Sequence, residues 1–360
     1  MNWENSRVLI LSPEKWGQAW VSKHHYAYEL TKQGASVLFV NPPGEKWKAE
    51  TPMENIKVIS YRHTRGLNKS PEFLRDFINM KLISKLYDFA EIDKPDVIWS
   101  FDPFRFQNLK LFKARKAIYH LVDKHHISLE KSAVTSADLA LATSKTLINI
   151  RDYSKVKVIG HGVSGKFQNQ NKILNGNGKL NAGYIGNLQS QWLDLELVEK
   201  AIRSFPTIQF NFAGPDDKTK STVLNSKTIF NQIRDRYDNV NLLGPINEEL
   251  PRFLSSMDLL LLFYKKIDGS YPANSHKILE YLSSGKTILS LPIIDYQERK
   301  DLIEFSNSHQ EYIQKLHEIV DNLDVYNSSR NQKLRKEFAS QFTYEKQLKQ
   351  ISELLNDCQK

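Results

Sequence analysis

Short apolar runs alternate with longer amphipathic stretches along nearly the whole chain. Val8–Ser12, Ser36–Asn41, Ile56–Tyr61, Asp96–Ser100, Lys116–Leu121 and Leu139–Thr143 are mostly apolar runs of five or six residues. Their length and continuity suit strands buried on both faces. Between them, His24–Lys32 reads as a helix stopped at Gly34, and Pro71–Ala90 as a longer one; Pro42-Pro43 closes the second strand and Val156–Gly160 closes this half. Gln168–Lys179, with four Asn and two Gly, then breaks the rhythm. It restarts with strand Asn181–Ile185, helix Asp194–Ser204 and strand Ile208–Ala213, which Gly214-Pro215 ends. Val240–Leu243, Glu248–Ser256 and Leu259–Phe263 continue it, and from about Glu311 the chain is helical and charged. Strand–helix alternation implies parallel sheet with crossover helices. The predicted architecture is α/β, with two Rossmann-like domains facing a cleft. Residues 1–165 form the first domain, 166–180 a linker, 181–340 the second domain, and 341–360 a C-terminal helix crossing back to the first. Open parallel sheets bind ligands beyond the carboxyl ends of their strands, which makes the cleft the expected site.

The densest chemistry lies in Asn274–Ser290, a helix, a stop and a strand. Asn274 or Ser275 is placed to cap the helix. Ile278, Leu279 and Leu282 give it an apolar side, Gly285 ends it in the left-handed conformation, and Thr287–Leu291 reads as buried strand. Amides at a helix start attract an anion, and Lys277 adds a full positive charge there. Glu280 shares that side by i,i+3 spacing, as a cleft carboxylate expected to be exposed and of little weight in packing. A phosphate at the helix tip with a carboxylate beside it for sugar hydroxyls suits a nucleotide diphosphate. The same two residues also fit an ordinary Lys–Glu pair on a surface helix.

Charge and composition narrow the partners. At 360 residues, 40% hydrophobic and 25% charged, the chain is long enough for two cores and too ordinary in composition for general disorder. The longest apolar run, about Leu259–Tyr264, is far short of a membrane span, and the opening residues run directly into a strand rather than a secretory leader. A single cysteine, Cys358, excludes an internal disulfide, and a reducing cytoplasm fits. The net charge of +9 is uneven: residues 1–160 hold 25 Lys+Arg against 17 Asp+Glu, and residues 161–360 hold 25 against 24. The segment from Phe73 to Lys85, with Leu74, Phe77 and Ile78 among Arg75, Lys81 and Lys85, fits an amphipathic helix on an anionic membrane. It fits equally a helix packed on the core with a solvated basic face. No nucleic-acid module or aromatic–basic signature is visible, so nucleic acid is not expected as a partner.

Several segments together resemble the two-domain GT-B glycosyltransferases, in particular the bacterial enzymes of the teichuronic-acid type that build surface polysaccharides. They are Tyr184-Ile-Gly-Asn187 followed by Trp192–Leu197, Phe210–Pro215, His276–Lys286 and, in the first half, Ala137–Ser144 and Val158–Val163. The resemblance spans nearly the full length in the expected order. It implies a nucleotide-diphosphate sugar as donor on the second domain and a glycan or lipid-linked acceptor on the first, with the sugar's configuration retained. It places Glu280 on the ribose hydroxyls and Lys277 on the diphosphate, with His276 in the same group. Gly186 and Asn187 would bring backbone amides to the phosphates. Two positions depart from the pattern. Pro272 stands eight residues before Glu280, where many retaining relatives carry an acid, with Asp268 four residues earlier, and Asn187 and Trp192 stand where many carry cations.

In the first domain, Asp102 follows one strand and Asp123 another, and both are candidate catalytic carboxylates; Asp123 matches a frequent acidic position of the family. His120, His125 and His126 surround Asp123, an arrangement able to serve as a general base. His161 in Gly160-His-Gly162 is a candidate donor contact near the interdomain hinge, and Trp16, Gly17 and His24 form a candidate acceptor loop. No Asp-x-Asp pair stands in a convincing loop, since Asp235 and Asp238 have other spacing and Asp216-Asp217 follows a turn. No metal or other cofactor is therefore expected. A nucleotide-sugar epimerase on the same architecture and a non-catalytic basic binding protein remain as alternatives. A dehydrogenase is disfavoured, because Ser12–Gly17 lacks Gly-x-Gly-x-x-Gly. The expected place of action is the cytoplasm, at the inner face of the cytoplasmic membrane.

Overall fold

The computed structural model describes residues 1–17, 20–62, 66–123, 127–149, 155–165, 180–216, 228–246 and 249–357. The sequence-predicted linker, apart from Leu180 at its end, and Cys358, His125, His126 and Asp217 lie outside the described residues. The chain forms two compact units, Met1–Gly162 with Tyr344–Lys360, and Val163–Thr343.

The first unit is built on β1 (Arg7–Leu11), α1 (Ser22–Lys32), β2 (Ser36–Val40), β3 (Lys48–Met53), β4 (Ile56–Ser60), α2 (Glu72–Ala90) and β5 (Val97–Ser100). It continues with β6 (Lys116–Leu121), α3 (Ile127–Ser136), β7 (Leu139–Ala142), α4 (Lys145–Asn149) and β8 (Lys157–Val158). The sheet order is β3-β4-β2-β1-β5-β6-β7-β8, parallel throughout except for β3 against β4. Residues 8–11 and 37–40 are buried without alternation, because apolar layers cover both faces of the sheet. The sequence pattern misses β3: its residues KAETPM are exposed or half-buried and pair only at an edge, so they carry no apolar signal.

The second unit runs β9 (Leu180–Ile185), α5 (Leu195–Ser204), β10 (Ile208–Ala213), α6 (Ile229–Arg236), β11 (Val240–Leu242), α7 (Leu250–Ser256) and β12 (Leu259–Leu262). Then come α8 (His276–Ser284), β13 (Thr287–Ser290), β14 (Glu304–Phe305), α9 (His309–Asp321), α10 (Leu323–Tyr326) and α11 (Ser329–Ser340). The sheet is wholly parallel, in the order β11-β10-β9-β12-β13-β14. Asp194 caps α5 by accepting the Leu197 amide at 3.0 Å, and Leu197, Val198, Ala201 and Ile202 bury one face of that helix. Helix α8 ends at Gly285, as its sequence predicts. The buried Arg335 of α11 donates to the Gly285 carbonyl at 3.1 Å, placing a cation where the helix dipole is negative.

The last helix, α12 (Tyr344–Asp357), belongs to the first unit. Tyr344, Leu348, Ile351 and Leu355 enter its core, and Gln347 Nε2 donates to the carbonyls of Ile159 at 3.1 Å and His161 at 2.7 Å. Among the described residues no helix is long and apolar enough to cross a membrane.

Candidate functional site

In the second sheet the chain leaves β9 for β10 on one side and later returns to β12 on the other. The direction of winding therefore reverses between β9 and β12, and a crevice opens at their carboxyl ends. Three segments converge there. Gly186 and Asn187 leave β9, Gly214 leaves β10, and α8 begins after the loop that follows β12. Gly186 and Gly214 have φ of +148° and +141°. A Cβ on Gly214 would strike the Gly186 carbonyl, and one on Gly186 would strike the Lys277 ammonium. Only glycine lets two strand ends and a lysine meet at this spot.

Lys277 Nζ donates to Tyr184 Oη at 3.4 Å and lies 4.7 Å above the Tyr184 ring and 5.6 Å from the centre of the Tyr264 ring. Tyr281 Oη accepts the Ile185 amide at 2.7 Å and fixes the end of β9 against α8. These tyrosines and Gly214 were not picked out as site residues from the sequence, although Tyr184 and Gly214 stand inside the matching segments. Nothing in a linear pattern says that two tyrosines eighty residues apart will meet one ammonium.

Three sequence expectations change. Ser275 holds the cap position of α8, but its side chain does not cap the helix; it bonds the Tyr264 hydroxyl instead. Asn274 Oδ1 accepts the Ser275 amide at 2.7 Å. Gly186 does not offer its amide outward, because that N–H donates to the Ala213 carbonyl at 2.9 Å and extends the β9–β10 ladder. Asn187 is exposed and shapes the turn, its Oδ1 accepting the Gln189 amide at 2.9 Å. Glu280 is buried rather than exposed, with 7% of its surface accessible.

The electrostatics of α8 follow from that burial. Removal from water pushes the Glu280 carboxyl up from 4.5 to about 8, with Lys277 working against the shift. Burial among the tyrosine rings brings the half-buried Lys277 down from 10.5 to about 8, with Glu280 opposing. Among the described residues no group hydrogen-bonds the Glu280 carboxyl and no direct ion pair joins it to Lys277. The carboxyl oxygens keep a narrow contact with solvent and are open to a ligand that donates hydrogen bonds. His276 opens α8, half-buried.

Solved structures share this fold. The sucrose-phosphate synthase of Thermosynechococcus elongatus superposes with a TM-score of 0.75, covering 98% of this chain and 99% of that one at 11% identity. HepE of Anabaena, solved in complex with UDP-glucose, gives 0.72, covering 98% of this chain and all of the other at 15% identity. The fold is GT-B. In sequence, the chain is 24% identical over 241 residues to TuaH of Bacillus subtilis (strain 168), named as a teichuronic acid biosynthesis glycosyltransferase. That match spans 64% of this chain and 58% of TuaH. No family model matches the chain.

The remaining candidates sit in the first unit of the GT-B chain, and most have structural work. Asp102 does not project as a free carboxylate: Oδ1 accepts the Phe104 amide at 2.8 Å, Oδ2 pairs with Arg105, and the residue is 3% exposed. His24 does not line an open loop either. Its Nδ1 accepts the Val21 amide at 3.2 Å and its Nε2 donates to the Lys15 carbonyl at 3.2 Å, which fixes the tautomer. The ring is fully buried against Trp16 and Phe39, and burial lowers its pKa to about 4. Trp16 is half-buried, and its amide donates to Asn41 Oδ1 at 2.8 Å; Gly17 is exposed.

His120 does not sit in the solvated surroundings a base beside Asp123 would have. Its ring is buried between Trp99 and Phe101, neither nitrogen has a hydrogen-bond partner in the described structure, and burial drives its pKa down to about 3. Asp123 is exposed. His161 is buried in the first unit with Nδ1 3.5 Å from Ser22 Oγ, and burial lowers it to about 4. A feature absent from the sequence reading is the buried Lys23, paired with Glu14 beside His120 and His161. A cavity of about 180 Å³ in the first unit lies at the opposite ends of its strands, between Arg7, Ser36 and Ile56, and is lined by apolar surface.

Proposed function

We propose that this chain is a glycosyltransferase that binds a nucleotide-diphosphate sugar in its second unit and transfers the sugar to a glycan or lipid-linked acceptor in cell-surface polysaccharide synthesis. The observation that carries the reading is Glu280, a buried carboxyl without a hydrogen-bond partner, one turn from Lys277 at a helix start that no side chain caps. Ribose hydroxyls would donate to Glu280, and the diphosphate would meet Lys277 and the first-turn amides of α8. Negative charge gathers on the diphosphate as the glycosidic bond breaks, so the same cation stabilises the leaving group. Such a site supplies the charge stabilisation for which other enzymes use a metal ion, and the reaction is assigned as metal-independent. Uridine is the base to try first, because HepE was solved with UDP-glucose and with UDP. Retention of the sugar's configuration rests on the sequence resemblance of His276–Lys286, and the cytoplasm is the assigned place of action.

Calorimetric titration of UDP and UDP-glucose into the wild type, Lys277→Ala and Glu280→Gln tests the site. Lys277→Ala should weaken UDP at least tenfold, as expected for a lost charge-assisted contact of about 1.5–3 kcal/mol. Glu280→Gln should weaken uridine and UDP alike. Unchanged affinity in both folded variants would remove the assignment. Failure of the wild type to bind any nucleotide sugar would remove the transferase reading itself.

A further inference from the structure

We propose that the exposed face of α2 is a docking surface for an anionic lipid bilayer. The helix is held to the first unit by the buried Asn79, Ile83, Leu86 and Ala90, the last three in its second half. Its first half turns large apolar side chains outward: Phe73 is 76% exposed, Phe77 50%, Met80 44% and Leu74 40%. At i, i+1, i+4 and i+7 these four share one side of the helix. A soluble fold gains nothing from presenting two phenyl rings and a thioether together in water, and such a patch marks a contact surface.

Charge identifies the occupant. Lys81 Nζ sits 4.5 Å above the Phe77 ring, and Lys85 Nζ 5.0 Å above Trp47. The Lys81 ammonium can therefore stay at headgroup level while the exposed Phe77 ring beneath it enters the apolar boundary. Lys69, in the short turn before the helix, and Arg62 are exposed as well. Of the acidic residues of the helix, Asp76 is half-buried and accepts from Asn108 Nδ2 at 2.8 Å, and the exposed Glu72 and Asp88 lie at its two ends. A second copy of the chain is a poor occupant, because it would bring the same excess of 25 cations over 17 anions in residues 1–160 against itself. An apolar stripe edged by ammonium groups matches the boundary between acyl chains and phosphate headgroups. This inference is independent of the donor site.

Vesicle co-sedimentation tests it with the whole chain. Vesicles of phosphatidylcholine alone are compared with phosphatidylcholine–phosphatidylglycerol mixtures at low and high salt. The wild type should bind the anionic vesicles reversibly and release them as salt rises. Lys81→Ala and Lys85→Ala should each weaken partitioning about fivefold. Phe73→Ser/Phe77→Ser should abolish it, while circular dichroism and melting stay unchanged because both rings are exposed. Three results would overturn the proposal. The wild type could remain in the supernatant throughout, or the double variant could bind as the wild type does. Sedimentation velocity could also show a wild-type dimer that the double variant loses, which would give the face to a second copy.

Discussion

Replacing Glu280 by glutamine should stabilise the empty protein, and the gain should depend on pH in one direction. The carboxyl is held at about 8 in the fold against an ordinary 4.5, because burial disfavours its charge. Below 4.5 it is neutral in both folded and unfolded chains, and the wild type bears no penalty. Between 4.5 and 8 the unfolded chain releases the proton while the fold keeps it, so wild-type stability falls as pH rises. Above 8 the penalty is constant. Each pH unit of that interval is worth about 1.4 kcal/mol, which sets an upper bound of about 5 kcal/mol. The glutamine amide, also without a partner, gives back about 1–3 kcal/mol. The net gain above pH 8 should be at most about 2–4 kcal/mol. For a domain of this size that is roughly 5–15 °C in the melting transition. Thermal and urea unfolding of both proteins, below pH 4.5 and above pH 8, read this directly. Saturating UDP should narrow the difference, because ligand stabilises the form that binds it. A difference that does not vary with pH, or a wild type more stable than the variant above pH 8, would refute the idea that burial holds this carboxyl neutral.

The glycine pair should separate fold from function. Gly214→Ala drives a Cβ into the Gly186 backbone at a φ of +141° and should cost on the order of 3–5 kcal/mol. Gly186→Ala meets the flexible end of Lys277 and, less closely, the Tyr184 hydroxyl, so about 1–3 kcal/mol is expected, together with a disproportionate loss of UDP affinity; unfolding curves and titrations distinguish the two. Chelator-treated enzyme should keep its transfer activity, measured as UDP released from UDP-sugar in the presence of acceptor. Complete loss restored by magnesium or manganese would show that an acidic group outside α8 carries a metal.

The fold was readable because strands covered on both faces must be apolar throughout. Val8 to Leu11 and Leu259 to Leu262 announce themselves for that reason. Strand β3 was not readable, since an edge strand with an exposed face needs no apolar residues. Helix α8 was visible from its apolar face, its glycine stop and the Lys277–Glu280 spacing. Its surroundings were not. The exposure of Glu280 depends on what packs over it, and the fate of the Gly186 amide on the partner that β10 presents, both contacts between residues far apart in sequence. The histidines show the same limit from the other side. His24 reads as an acceptor-loop residue in the sequence because nothing in a linear pattern shows that Trp16 and Phe39 seal its ring.

The two units treat most of their polar residues at the strand ends differently, and this difference favours the second unit as the donor-binding half. In the first, Asp102 is spent on Phe104 and Arg105, His24 on Val21 and Lys15, and Lys23 on Glu14, while the unpartnered His120 ring is sealed among aromatic side chains. Groups satisfied in this manner stabilise the empty fold, and a ligand must displace existing bonds to use them. In the second, the Glu280 carboxyl has no hydrogen-bond partner and Lys277 rests on tyrosine rings with no carboxylate in contact. Both groups are displaced from their ordinary protonation range by burial. A cation and a carboxyl held within one helical turn, neither committed to an ion pair, can take up a ligand without breaking a strong bond of the empty fold. A ligand carrying both a diphosphate and free hydroxyls engages both groups in one step.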